Sequence, residues 1–405
     1  MTQQNNFAKI SPQSSVLSPQ SSVLSNNSAL KVLYVTHYNS LGGGANLSLF
    51  GLMLDLRRRY GVIPSVLIPG EGELADRCRE NGIEVFCSKF YGWLSENRIK
   101  GVIKQFLNRI YLFRKVLSIL MKHKFDIVHT NSSVTEMGNI IAQKFHIPHI
   151  WHLREYGEYD YDLHYSLPFS YVHSRYSLAD AVIAISQSIR KNFVDERRLC
   201  PPEKTRIIYN GIRIPQPYIK RRPSYRINFC ITGGLFRGKN QIMAIKACQI
   251  LKKSTDKFML HLIGDNNNSY AEDLKRLIAS SGLEGNVKFW GFRRDAVEIL
   301  RDMDVGLMLS KCEAFGRVTV EYMLNYMPVI GVNTGATPEI IIDGETGIIC
   351  PLDDAAKLAE LMLRFITNRE LIYSMGQSAR EHAVKNFSLE RNTDTIYSLY
   401  QEFLH

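Results

Sequence analysis

Two glutamates are separated by seven intervening residues in SKCEAFGRVTVEYMLNYMPVIGV, residues 310–332. A strand-like run, Asp304–Leu309, leads into Glu313-Ala314-Phe315-Gly316, and a short helical pattern with Arg317 and Glu321 follows. Carboxylates accept hydrogen bonds from vicinal hydroxyls, so two at this offset can grip a sugar ring and a ribose. Gly316 would free backbone amides at the helix start for a phosphate or hydroxyl. Either glutamate taken alone reads more simply as an exposed helix charge.

Two glycine turns add anion chemistry. Gly42-Gly43-Gly44-Ala45 lies between the first apolar strand and a helical run, Asn46–Arg58. GGLFRGKNQ, residues 233–241, repeats the design and sets Arg237 and Lys239 beside Gly234, where a helix N-terminus would hold phosphates. Two cations and a positive dipole end can offset a diphosphate. Neither turn is the spaced dinucleotide fingerprint or a P-loop. The plainer alternatives are a loose strand–helix turn and two solvated basic residues.

His129 ends the strand DIVHT, and His152 ends HIPHIW just before Leu153-Arg154-Glu155. Both histidines are therefore expected at strand carboxyl ends facing a cleft, with a satisfied structural histidine as the equal alternative. No histidine spacing suits a metal. Asp160-Tyr161-Asp162 and Asp302-Met303-Asp304 do not follow apolar strands, so no essential metal is expected.

These residues need a frame. Strand-like runs at Lys31–Thr36, Ser65–Ile68, Ile83–Cys87, Asp126–Thr130, Pro148–His152 and Ala181–Ile185 alternate with helical patterns. The alternation breaks at PQPYIKRRPSYR, residues 215–226, which reads as a linker. It restarts at Asn228–Thr232, Phe258–Ile263, Val287–Trp290, Val305–Leu309, Val329–Val332 and Gly347–Cys350. Near-continuous apolar strands between helices mean parallel sheets covered on both faces. The expected fold class is α/β: two doubly wound, Rossmann-like domains, 30–214 and 227–387, with the ligand site in the cleft between them. Residues 1–29 carry SPQSSVL twice and are expected to be a disordered tail.

The chain has 405 residues, 45% of them apolar and 22% charged, which excludes a wholly disordered, collagen-like or disulfide-stapled protein. A formal charge of +11 favours an anionic partner. No helix-turn-helix, RNP or finger pattern points to nucleic acid. Seven scattered cysteines, no basic-apolar leader and no long apolar span suggest a cytoplasmic protein. Residues 97–125 hold eight Lys or Arg, no Asp or Glu, and apolar residues at helical spacing. Such a helix can lie on the anionic inner surface of a membrane, or can be a crossover helix with its apolar face on the sheet.

Taken together, the motifs resemble the retaining nucleotide-sugar glycosyltransferases of family 4, also called group 1, which have the GT-B fold. Glu313 to Glu321 matches the family's carboxylate motif. Gly335, Glu339, Gly344 and Gly347 match its continuation, and Lys239 its donor-phosphate lysine. His152 matches the N-domain histidine, Gly42–Gly44 the first glycine loop, and Asn210-Gly211 the junction to the linker. Gly234 stands where many relatives carry arginine, and Gly264-Asp265-Asn266 replaces Gly-Asp-Gly.

The resemblance implies His152 and Glu313 as catalytic residues. It implies a donor held by Gly43, Gly44, Gly234, Arg237, Lys239, Phe315, Gly316, Arg317 and Glu321, and an acceptor approaching His129, Arg154 and Glu155. Residues 388–405 would form a helix packing back toward the N-terminal, acceptor-side domain. The implied activity is metal-independent, retaining transfer of a hexose from a nucleotide-sugar, such as a UDP-sugar, to a polysaccharide or lipid-linked glycan. No cofactor is implied beyond that co-substrate. A sugar phosphorylase, a nucleotide-sugar epimerase, or a non-catalytic membrane-surface assembly subunit on the same fold are the alternatives.

Overall fold

The computed structural model describes residues 29–111, 116–158, 163–218 and 225–404. The duplicated SPQSSVL segment, Asp160-Tyr161-Asp162, residues 112–115 of the basic stretch and residues 219–224 of the linker lie outside them.

Nine strands precede the linker: β1 (Lys31–Val35), β2 (Ile63–Ile68), β3 (Glu84–Cys87), β4 (Leu94–Ser95), β5 (Ile127–Thr130), β6 (His149–Leu153), β7 (His164–Tyr165), β8 (Ala181–Ala184) and β9 (Thr205–Ile207). Seven form one parallel sheet in the order β3-β2-β1-β5-β6-β8-β9, and β4 pairs antiparallel with β7 as a separate ribbon. After the linker come β10 (Ile227–Thr232), β11 (Phe258–Ile263), β12 (Val287–Gly291), β13 (Val305–Met308), β14 (Val329–Val332) and β15 (Gly347–Cys350). They form a second parallel sheet, β12-β11-β10-β13-β14-β15. The central strands IVHT, AVIA, VGLM and VIGV are buried along their whole length, because helices cover both faces.

In each sheet the strand order reverses once, between β1 and β5 and between β10 and β13. The loops leaving those strands must part to opposite faces, which opens a crevice at their carboxyl ends. The glycine turn after β1, the glycine turn after β10 and the glutamate loop after β13 all leave from these two points.

The domains share a core. One buried apolar cluster contains Trp151, Phe193 and Ile212 of the first domain together with Phe315, Tyr322 and Phe387 of the second. After the helix Glu370–Phe387, Ser388 caps a last helix, Leu389–Gln401, by accepting a hydrogen bond from the Arg391 amide. This helix returns to the first domain. Ile396, Leu399 and Tyr400 are buried there with Leu49, Leu52 and Tyr34, and Tyr397 stacks on Tyr60 with ring centroids 3.8 Å apart. The junction is pinned by backbone bonds between Ile212 and both Phe387 and Leu389.

Candidate active site

The loops from the two switch points enclose a cavity of about 440 Å³. Its wall includes Gly43, Gly44, Arg154 and Glu155 from the first domain, and Lys239, Glu313, Phe315, Gly316 and Arg317 from the second. Four cations (Arg154, Lys239, Lys311, Arg317) face two carboxylates (Glu155, Glu313) in this lining, so the cavity favours an anion.

The glutamate loop is held from three sides. Its Glu313 carbonyl accepts from the Ala336 amide at 2.8 Å, the Lys311 amide donates to the Gly238 carbonyl at 2.9 Å, and the first domain's Ser186 hydroxyl donates to the Ala314 carbonyl at 2.6 Å. Gly335 makes the first contact possible. It has φ +54°, and a Cβ there would lie 2.4 Å from the Glu313 carbonyl oxygen. Gly316, at φ +83°, starts the helix Arg317–Leu324 in the left-handed region that glycine tolerates.

Lys239 Nζ donates to Glu313 Oε2 at 2.7 Å, joining the second glycine turn to the glutamate loop. Both side chains are about one-fifth exposed, so each is largely buried yet reachable. Arg317 reaches across the cleft, donating to the Ser48 hydroxyl at 2.9 Å and to Glu321 at 3.2 Å. It passes Gly44 closely: a Cβ on Gly44 would lie 3.2 Å from its Cδ. Burial pushes the Glu321 carboxyl above the usual range, and Arg317 opposes the shift.

On the first domain, Asn46 shapes the glycine loop. Its amide donates to the Tyr38 and Ser40 carbonyls, and its oxygen accepts from the Thr36 hydroxyl at 2.6 Å. Arg154 is buried, donating to the side chains of Asn131 and Asn210. Desolvation lowers its pKa to about 9, which leaves it charged at neutral pH. Glu155 accepts from the Ser132 hydroxyl at 2.6 Å and from the Ser133 amide at 2.8 Å, and burial raises its carboxyl above the usual range.

The structure does not bring every candidate into the cavity wall. Gly234 and Arg237 are exposed and lie outside it, and Glu321 touches it through Arg317. His129 and His152 are fully buried, inside the sheet rather than at a cleft surface. The register explains why. Tyr34 on β1 pairs with His129 on β5, so both emerge on the face covered by the last helix. There a buried series runs from the Tyr34 hydroxyl to the Tyr400 hydroxyl (3.1 Å), on to His129 Nδ1 (2.7 Å), and from His129 Nε2 to His152 Nδ1 (3.0 Å). His152 Nε2 is buried with no protein partner. Desolvation holds both imidazoles neutral, well below their ordinary range. If Tyr400 donates to His129, His129 donates to His152, and His152 carries its proton on Nε2; reversing the first bond reverses the rest.

Tyr400→Phe removes the middle hydroxyl and leaves two buried polar groups unmatched. We expect a loss of about 1–3 kcal/mol in a denaturant titration.

Residues that the sequence reading passed over also line the cavity: Tyr38, Phe236, Gly238, Lys311 and Cys312. Phe236 and Gly238 lay inside the quoted glycine turn, and Lys311 and Cys312 adjoin Glu313, so their neighbours were the available signal. Tyr38 carried none. Asp304 is structural: its carboxylate accepts from the Asn228 amide at 2.7 Å. Among the described residues no cluster of three or more His, Cys, Asp or Glu is arranged to hold a metal ion.

Comparison with known proteins places this geometry. The family model for Glycosyltransferase Family 4 matches residues 43–214, and the model for Glycosyl transferases group 1 matches residues 219–382. An uncharacterized glycosyltransferase of Methanocaldococcus jannaschii is 25% identical, covering 77% of this chain and 88% of its own. An N-acetyl-alpha-D-glucosaminyl L-malate synthase of Bacillus anthracis is 31% identical over 36% of this chain, so the chain spans only 38% of that relative's length. The crystal structure of Anabaena HepE in complex with UDP superposes with a TM-score of 0.75 at 21% identity, covering 92% of this chain and all of that one. A glycosyltransferase from Rickettsia africae superposes at 0.77, also at 21% identity, covering 93% and 99%. With two doubly wound domains, the GT-B arrangement and both family models in sequence along it, the chain belongs to the group 1 (family 4) glycosyltransferases.

Proposed function

We propose that the cavity binds a nucleotide-sugar, a UDP-sugar in the first instance, and that the protein transfers the hexose with retention to a glycan or lipid-linked acceptor. The observation that carries this reading is the Lys239–Glu313 ion pair, which joins the second glycine turn to the glutamate loop in a cavity also lined by Gly43 and Gly44 of the first. An incoming diphosphate takes over Lys239, which frees Glu313 to accept hydrogen bonds from sugar hydroxyls. In the transfer, the bond from the anomeric carbon to the diphosphate breaks with its electron pair. The acceptor oxygen bonds that carbon and passes its proton to the departing diphosphate oxygen. Negative charge grows on the departing diphosphate, and Lys239, Arg317 and the amides around Gly316 are fixed in place to stabilise it. These groups supply the compensating charge, so the reading requires neither a divalent ion nor a cofactor. Support for UDP comes from Anabaena HepE, whose structures contain UDP and UDP-glucose.

The exposed thiol of Cys312 lines the cavity and supplies the test. In buffer containing EDTA, UDP-, GDP- and ADP-sugars are compared for their ability to slow alkylation of Cys312. We expect UDP-sugars to protect it at sub-millimolar concentration. Alkylation at an unchanged rate with every nucleotide would remove the donor assignment.

A further inference from the structure

The basic stretch folds the opposite way round from an ordinary crossover helix. The helix Arg98–Tyr111 packs on the β4–β7 ribbon through Gly101, Gln105 and Asn108, which are its buried residues. Gln105 donates to the Gly92 carbonyl at 2.6 Å. Asn108 donates to the Tyr91 carbonyl at 2.8 Å and accepts from the Tyr91 amide at 2.7 Å. Gly101 is required, since a Cβ there would lie 1.8 Å from the Ser166 hydroxyl oxygen. The apolar residues point away: Ile99 is 73% exposed and Phe106 65%, with Val102, Ile103 and Ile110 exposed between and beyond them. Of the two arrangements open to this stretch, an apolar-face-inward crossover is not the one that Arg98–Tyr111 adopts, because specific polar contacts dock the other face.

At about 100° per residue the five apolar side chains span an arc of about 100°. Arg98 and Arg109 flank that arc on one side, Lys100 and Lys104 on the other, and all four are exposed. An apolar stripe bordered by cations on both edges is the arrangement of a helix lying in a membrane interface, its apolar residues among acyl chains and its cations level with the headgroups. No acidic residue occurs from 97 to 125 to oppose an anionic surface. Arg109 also reaches the Tyr171 hydroxyl, on a helix whose first residue, Phe169, is exposed. No helix among the described residues is long and apolar enough to cross a membrane.

We infer that the outward stripe of helix Arg98–Tyr111 docks the protein on an anionic lipid bilayer. The assignment stands apart from the proposed sugar transfer, and the test keeps them separate. The full chain is sedimented with vesicles of phosphatidylglycerol and phosphatidylcholine, or of phosphatidylcholine alone, at low and high salt. The wild type should sediment with the anionic vesicles, less so as salt rises. Lys100→Glu with Lys104→Glu should weaken binding at least about fivefold per residue. Ile103→Asp with Phe106→Asp should abolish binding while leaving the circular dichroism spectrum and the thermal unfolding midpoint of the full chain unchanged, which shows that the variant folds. Wild-type protein that remains in the supernatant at low salt overturns the inference. So does a dimer in light scattering that Phe106→Asp splits while vesicles go unbound, since a second copy would then be the partner.

Discussion

Lys239→Ala should lower kcat/KM for the preferred nucleotide-sugar by about 100- to 1,000-fold. Two effects act in the same direction. In the proposed transfer the departing diphosphate loses a fixed cation, and stabilising charge of this kind matters most where water is excluded. Glu313 also loses its 2.7 Å partner and stays as an uncompensated carboxylate beside the phosphates. The variants can separate the two. Glu313→Gln in the Lys239→Ala background removes the repulsion, so donor affinity recovers in part while turnover does not. Lys311→Ala is a useful comparison, because Lys311 lines the cavity but is half exposed and screened by water. Arg237→Ala, outside the cavity wall, should cost less again. Calorimetry with UDP and steady-state rates with the donor give both quantities. A Lys239→Ala protein with wild-type turnover would mean that the diphosphate lies elsewhere.

The second large effect is acid sensitivity. Four histidines of the first domain are held neutral by desolvation: His37 near 4, His149 near 3, and His129 and His152 well below their ordinary range. Each gains a proton in the unfolded chain near pH 6.5 but not in the fold. As the pH drops through 6.5 the unfolded state binds more protons, so stability falls. The contribution is complete above pH 6.5 and is lost progressively toward the folded-state pKa values. From pH 6.5 to 5.5 each histidine costs about 1 kcal/mol. Four together cost about 4 kcal/mol, close to the lower end of the stability of an ordinary domain, about 5–15 kcal/mol. Buried carboxylates act with the opposite sign. Glu136, Glu155 and Glu339 are raised by burial, so they take up protons in the fold before the unfolded chain does. Their effect runs from the raised folded-state pKa down to the ordinary carboxylate range, and it offsets part of the histidine loss. Thermal unfolding followed from pH 7.5 to 5.0 should show a flat region and then a steep fall beginning near pH 6.5. A midpoint that is constant to pH 5.5 would contradict this account of the histidines.

The frame and the cavity were legible to different depths. Runs such as KVLYV and FMLHLI announce strands buried on both faces, and the glycine turns after β1 and β10 mark where the chain leaves them. The β4–β7 ribbon, with two residues in each strand, and β9, with three, are too short to leave a period in the sequence. Lys239 and Glu313 could be named from their motifs, but their ion pair joins residues 74 positions apart and is a product of the fold. The same holds for Glu339, which accepts from the Gln187 and Ser188 amides across the domain boundary, each at 2.7 Å. Position at a strand end suggested cleft histidines. It could not reveal Tyr400, 271 residues away, which draws His129 into the interior. Helical spacing identified the stripe on residues 98–111 but not which way it faces, since amphipathicity fixes only relative sides.

The homeward path of the last helix bears on how the protein is made. Synthesis runs from the amino terminus, and domains generally fold as they emerge. Here the first lobe leaves the ribosome without Ile396, Leu399 and Tyr400, which are buried in its own core. It must wait, with an apolar face uncovered, until the entire second lobe has been translated. Maturation of the amino-terminal half is thus coupled to completion of the polypeptide, and a truncated product cannot pass as a finished lobe.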